Sequence, residues 1–107
     1  MEIGNGNMTY EEYKSHFTLW AALKSPLLIG SDVQALADEY IEMLSNPEII
    51  AINQDPLGKS VSLTEIGRGH QLYDIWTGPL IHDYTIVGTQ STFCRHDVVV
   101  YRPSLLL

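Results

Sequence analysis

Apolar residues recur at helical spacing soon after the start of the chain. Tyr13, Phe17, Trp20 and Ala21 form one stripe, and Thr9 with Glu12 ahead of it makes a capping box, in which a hydroxyl and a carboxylate each engage an otherwise orphaned backbone N–H. This predicts a helix from about Thr9 that Pro26 terminates, since the residue before a proline is pushed out of the α region. Leu27-Leu28-Ile29, bounded by Gly30, is a short all-apolar run and predicts a strand buried on both faces, as in a parallel sheet. A second helix is expected from Ser31 or Asp32, either of which suits an N-cap, with Leu36, Tyr40, Ile41 and Leu44 as its buried face. Asn46-Pro47 breaks it and opens another short helix carrying Ile49, Ile50 and Ile52.

Asp55-Pro56-Leu57-Gly58 is a turn signal, and beyond it the pattern changes period. Val61-Ser62-Leu63-Thr64 alternates, Gly67-Arg68-Gly69 offers a turn, and residues 72–76 are rich in strand formers. Gly78-Pro79 turns the chain again, and residues 84–87 and 98–101 are further strand candidates. The boundary between an α/β part and an antiparallel β part falls between Pro56 and Lys59. A single buried parallel strand makes no sheet, so its neighbours are expected from residues this chain does not contain or from another chain, which points to a fragment.

Composition narrows the partners. The 107 residues amount to one domain at most, and 45% hydrophobic content with 18% charged residues permits a core. Thirteen acidic against six basic residues, a formal charge of −7, with no Lys/Arg cluster, argues against nucleic acid. No apolar run approaches the length of a membrane span, and the first residues lack the basic start and apolar stretch of a signal peptide. Cys94 is the single cysteine, which excludes an internal disulfide and a thiolate metal site.

A long ordered string of residues carries a family resemblance. It comprises Glu2-Ile3-Gly4-Asn5-Gly6-Asn7-Met8-Thr9, Glu11-Glu12-Tyr13, His16-Phe17, Leu19-Trp20-Ala21 and Lys24-Ser25-Pro26-Leu27-Leu28-Ile29-Gly30. Ile50-Ala51-Ile52-Asn53-Gln54-Asp55-Pro56-Leu57-Gly58 completes it and is its sharpest part. It resembles the end of the catalytic barrel in α-galactosidases of glycoside hydrolase family 27, the melibiases, with wording closest to secreted fungal members. The resemblance implies an α/β fold: the last part of a (β/α)8 TIM barrel over residues 1–56, then the start of a C-terminal antiparallel β domain over 57–80. Residues 81–107 do not resemble the family's continuing strands, as a mispredicted exon, an intron read through or a frame change would explain, with a genuinely short variant as the alternative.

The resemblance also implies hydrolysis of terminal α-linked galactose with retention by two aspartates, a galactoside as partner, no cofactor, and secretion of the complete protein. Neither aspartate segment, Lys-Tyr-Asp-type or Arg-x-Ser-Asp-Asp-type, occurs in this sequence, and Met1 stands where the Leu of an Asp-Pro-Asp-Met-Leu segment would be. Retaining chemistry needs two carboxyls about 5 Å apart, so no catalytic residue is assigned and the chain alone is expected to be inactive.

Other signals carry plainer readings beside functional ones. Asp32 follows the candidate strand, where barrels place functional groups, but suits a helix N-cap equally. Asp55 is accounted for by turn chemistry. His16, His70, His82 and His96 lack the spacing of a zinc site, and no metal is expected. Trp20 and Trp76 can stack on sugars or fill a core, and their spacing favours the core. Asn7-Met8-Thr9 is an N-glycosylation pattern with Asn7 as acceptor, although Thr9 also serves the capping box. Three function classes stand open: an α-galactosidase fragment, a non-catalytic carbohydrate-binding or interaction module, and a separate α/β enzyme using Asp32 with a histidine.

Overall fold

The computed structural model describes residues 1–66, 72–92 and 95–101. Helix α1 (Tyr10–Ala22) is followed by a 3-10 turn (Val33–Ala35), helix α2 (Asp38–Leu44) and helix α3 (Pro47–Asn53). Strands β1 (Ser62–Ile66), β2 (Leu72–Leu80), β3 (Asp83–Thr92) and β4 (Arg95–Tyr101) then form one antiparallel sheet in sequence order.

The capping box at the start of α1 is formed as expected. Glu12 N–H donates to Thr9 Oγ1 at 3.2 Å, and Thr9 N–H donates to the Glu12 carboxylate at 3.1 Å. The helix stops at Ala22, well before Pro26 demands it. Lys24 takes the left-handed conformation (φ 62°), its N–H donates to Ala21 O, and Ser25 N–H donates to Trp20 O. This paired arrangement closes the helix with a lysine where glycine is usual. The Lys24 ammonium donates to Ile52 O on α3, a contact that glycine would forgo.

Helix α1 is buried on two sides, which the single stripe does not show. Tyr13 and Phe17 pack with Met1, Ile3 and Met43, with Trp20, Leu27, Tyr40 and Leu44 around them. Ala22, with Leu19 beside it, joins Ile52, Val61, Leu80, Val87 and Val98 in a second cluster between the helices and the sheet. Leu80, Val87 and Val98 lie on one face of the pleat, as the pairings Trp76↔Val87, Val87↔Val100 and Thr89↔Val98 require.

Three expectations are corrected. Gly78-Pro79 does not turn the chain: both residues lie within β2, paired with Thr85 and Tyr84, and the turn falls at Ile81-His82. Residues 27–30 are extended but make no regular strand, and they are not buried on both faces: Leu28 is 74% and Ile29 45% exposed. They have one parallel neighbour among the described residues, so one edge and one face stay open. The helix expected from Ser31 or Asp32 divides instead. Asp32 caps the 3-10 turn through Gln34 N–H at 3.0 Å, and α2 begins only at Asp38. On α2 the buried residue is Met43, while Ile41 is exposed. Leu36 is drawn out of the helix to lie over Gly4, where a Cβ would meet Leu36 Cδ2 at 2.4 Å.

Candidate functional site

Residues 1–3 run alongside residues 27–30. The Met1 nitrogen donates to Leu28 O at 2.7 Å, and Gly30 N–H donates to Met1 O at 2.8 Å. Residue 1 thereby bridges the two residues flanking Ile29, which is the hydrogen-bond pattern of a parallel pair. With α1 between them, the two extended segments run parallel, with their C-terminal ends toward Gly4 and Gly30. Parallel α/β architectures build their sites at that end.

Close approach governs this end. Gly30 sits in close contact, since a Cβ there would stand 3.0 Å from both Met1 O and Glu2 Oε1 and the neighbours would have to give by a few tenths of an ångström. Gly4 turns the chain with φ +78°, a conformation that favours glycine. Asn5 Nδ2 donates to the Glu2 carboxylate. The next turn is held by Tyr13, whose hydroxyl donates to Gly6 O at 2.7 Å and accepts from Gly6 N–H at 2.9 Å. Several side-chain atoms around α1 and the second segment are buried without a partner among the described residues: Ser15 Oγ, His16 Nε2 and Ser31 Oγ. Burial pushes the His16 imidazole below its ordinary pKa, the terminal ammonium adds to this, and Glu2 opposes it.

The expected site residues do not converge. Asp32 is exposed and acts as a cap, the plainer of its two readings. Among the described residues no three His, Cys, Asp or Glu side chains are grouped as metal ligands. His16 lies beside Trp20, with ring centroids 5.2 Å apart, and His82 is exposed. His70, Cys94 and the His96 side chain lie outside the described residues. Trp20 is half-buried and donates from Nε1 to Pro26 O at 2.8 Å. Trp76 packs against the helix–sheet cluster, and its buried Nε1 finds no acceptor among the described residues. No described helix is long and apolar enough to cross a membrane. A cavity of about 350 Å³ opens between α1, α3 and β4, lined by Phe17, Thr18, Asn46, Ile49, Val98 and Val100 among others. None of its lining residues comes from the paired segments.

Turn chemistry alone does not exhaust Asp55. Its carboxylate accepts from Leu57 N–H at 3.0 Å, closing the local turn, and also from Ile81 N–H at 3.0 and 3.2 Å, 26 residues away. It thus ties the helical part to the β2–β3 turn. Asn53 acts next to it, donating from Nδ2 to Ala21 O and Ser25 O at the end of α1. Burial lowers the Lys24 pKa, and the Asp55 charge opposes that shift. No local signal reveals the Asp55–Ile81 contact, because both partners are ordinary turn residues. Asp55→Ala is expected to cost about 1–2 kcal/mol, the value of a charge-assisted hydrogen bond with partial exposure. Asp55→Asn should recover part of this by keeping one acceptor oxygen, and urea midpoints of the three proteins check it.

Comparison with known proteins bears on this arrangement. The family model described as Alpha galactosidase A matches residues 1–55, which include the paired segments and all three helices. α-Galactosidase 3 of Arabidopsis thaliana is 51% identical over 88 residues, covering 82% of this chain and 20% of that protein. The crystal structure of α-galactosidase I from Mortierella vinacea superposes with a TM-score of 0.74 at 37% identity, over 82% of this chain and 22% of that one. The Saccharomyces cerevisiae α-galactosidase solved with raffinose gives 0.71 at 33% identity, over 85% and 22%. The chain spans about a fifth of the length of the curated relatives it matches. Sequence match and superposition agree, and the chain belongs to the α-galactosidase (melibiase) family.

Proposed function

We propose that this chain is the part of a retaining α-galactosidase in which the catalytic barrel ends and the β domain begins, and that the complete protein hydrolyses terminal non-reducing α-D-galactose residues. One observation carries the reading: two parallel extended segments joined by α1 and followed by an antiparallel sheet match α-galactosidases both in residues and in superposition. In this reading residues 1–56 close the (β/α)8 barrel and residues 57–80 open the C-terminal domain. The open edge and exposed apolar side chains of residues 27–30 support it, since barrel strands are paired on both sides.

The chemistry follows from the family resemblance. One carboxylate attacks the anomeric carbon and another protonates the leaving oxygen, then activates water in the second step. Both are supplied by segments that this sequence does not contain, so its own residues build scaffold rather than react. Galactosides of the raffinose type are the proposed substrates, supported by the raffinose bound to the Saccharomyces cerevisiae relative. We also take the complete protein to be a secreted fungal enzyme. The wording of the string from Glu2 to Gly58 supports the fungal kinship, and the family resemblance supports secretion.

A segment exchange tests this. The matched 88 residues replace their counterpart in the Arabidopsis enzyme, and hydrolysis of raffinose is followed. Retention of kcat/KM within about tenfold, a loss below about 1.4 kcal/mol of transition-state stabilisation, is expected. A folded exchange protein without hydrolysis would sink the assignment.

A further inference from the structure

The loop before α1 carries chemistry that hydrolysis does not use. The chain has four asparagines, and only Asn7 is followed two positions on by a hydroxyl residue, Thr9, with a residue other than proline between. The structure separates the four in a second, independent way. Asn5 Nδ2 is committed to the Glu2 carboxylate, Asn46 Oδ1 caps α3, and Asn53 Nδ2 holds the end of α1. The Asn7 carboxamide alone makes no hydrogen bond among the described residues, and Asn7, Met8 and Thr9 are all exposed. Tyr13 pins Gly6 on both its N–H and its carbonyl, so the loop is anchored just before Asn7 and its side chain is spent on no packing.

We propose that Asn7 is the acceptor of an N-linked glycan. Its Nδ2 attacks the anomeric carbon of a lipid-diphosphate-linked oligosaccharide. The new N–C bond forms as the C–O bond to the diphosphate breaks, the lipid diphosphate leaves with the electron pair, and the amide gives up one proton. Folding sets the order of events. In the folded chain Thr9 is engaged with Glu12 through both its hydroxyl and its N–H, so transfer precedes formation of α1. Once α1 has formed, the glycan leaves from an exposed loop and displaces nothing from either cluster of buried residues. Acceptor chemistry itself does not depend on the hydrolytic reading.

Translation of the chain behind a cleavable leader and a spacer, in the presence of microsomes, tests acceptor competence on the nascent polypeptide. A single mobility step is expected, removed by peptide N-glycosidase, lost in Asn7→Gln and Thr9→Ala, and kept in Thr9→Ser and Asn5→Gln. In protein isolated from its own source, the tryptic segment ending at Lys14 should carry the glycan and show Asp in place of Asn7 after enzymatic release. Wild-type chain migrating as Asn7→Gln while a control glycoprotein is modified in the same reaction overturns the proposal. So does an unmodified Asn7 in most of that tryptic segment.

Discussion

Phe17→Ala is expected to destabilise the chain by about 3–5 kcal/mol, the range for deleting a buried aromatic ring together with the cavity it leaves. Phe17 is 2% exposed and packs with Met1, Ile3, Tyr13 and Met43, so its ring touches the parallel pair, α1 and α2 at once. Little can collapse into the gap: the Tyr13 hydroxyl is held by Gly6, and the first segment is held by its bonds to residues 28 and 30. Small domains have only about 5–15 kcal/mol of stability in total, so this one change consumes a large share. Urea denaturation followed by tryptophan fluorescence reads it, because Trp20 lies against the same cluster. Phe17→Leu, which keeps most of the volume, should cost roughly 1.5 kcal/mol or less. An alanine variant within about 1 kcal/mol of wild type would show that this cluster is not the structural centre of the helical part.

Gly78→Val should be nearly as damaging for the opposite reason. A Cβ at Gly78 would stand 2.9 Å from Val61 Cα, 3.0 Å from Val61 Cγ1 and 3.2 Å from Ser60 O. Two of these three are backbone atoms, so no side-chain rotation relieves the clash and β1 must move away from β2. Val61 is buried in the helix–sheet cluster, and its N–H donates to Ala22 O at the end of α1. Displacing it therefore disturbs the joint between helices and sheet. Overpacking of this kind costs about 1–3 kcal/mol, with Val at the upper end and Ala lower. Amide exchange should show protection lost along β1 while α1 keeps its own. Unchanged protection of β1 in Gly78→Val would mean that the strands do not approach as closely as the structure has them.

The features that could be read from residues alone are those closed within a few positions of the chain. Thr9 and Glu12 complete their reciprocal bonds across three residues, and Asn46 caps α3 over two and three. Gly58, at φ +66°, closes the turn that Asp55-Pro56 announces. The change of period after Gly58 marks where helices give way to an antiparallel sheet. The long ordered string from Glu2 to Gly58 pointed to the α-galactosidase family, in agreement with the match over residues 1–55.

Contacts between distant residues decided the rest. An apolar run such as Leu27-Leu28-Ile29 announces an extended segment, but its burial depends on neighbours, and among the described residues only the first segment pairs with it. Asp32 and Leu36 belong to one helical pattern on paper, yet Leu36 packs on Gly4 and the helix starts later. The second buried side of α1 comes from a sheet that begins some forty residues further on, at Ser62. Asp55 reads as a turn residue and becomes a clasp only because the β2–β3 turn brings Ile81 N–H to its carboxylate. Local propensity and capping depend on a few adjacent dihedrals and report themselves in the chain. Burial depends on what the folded backbone places alongside, and no window of sequence contains that partner.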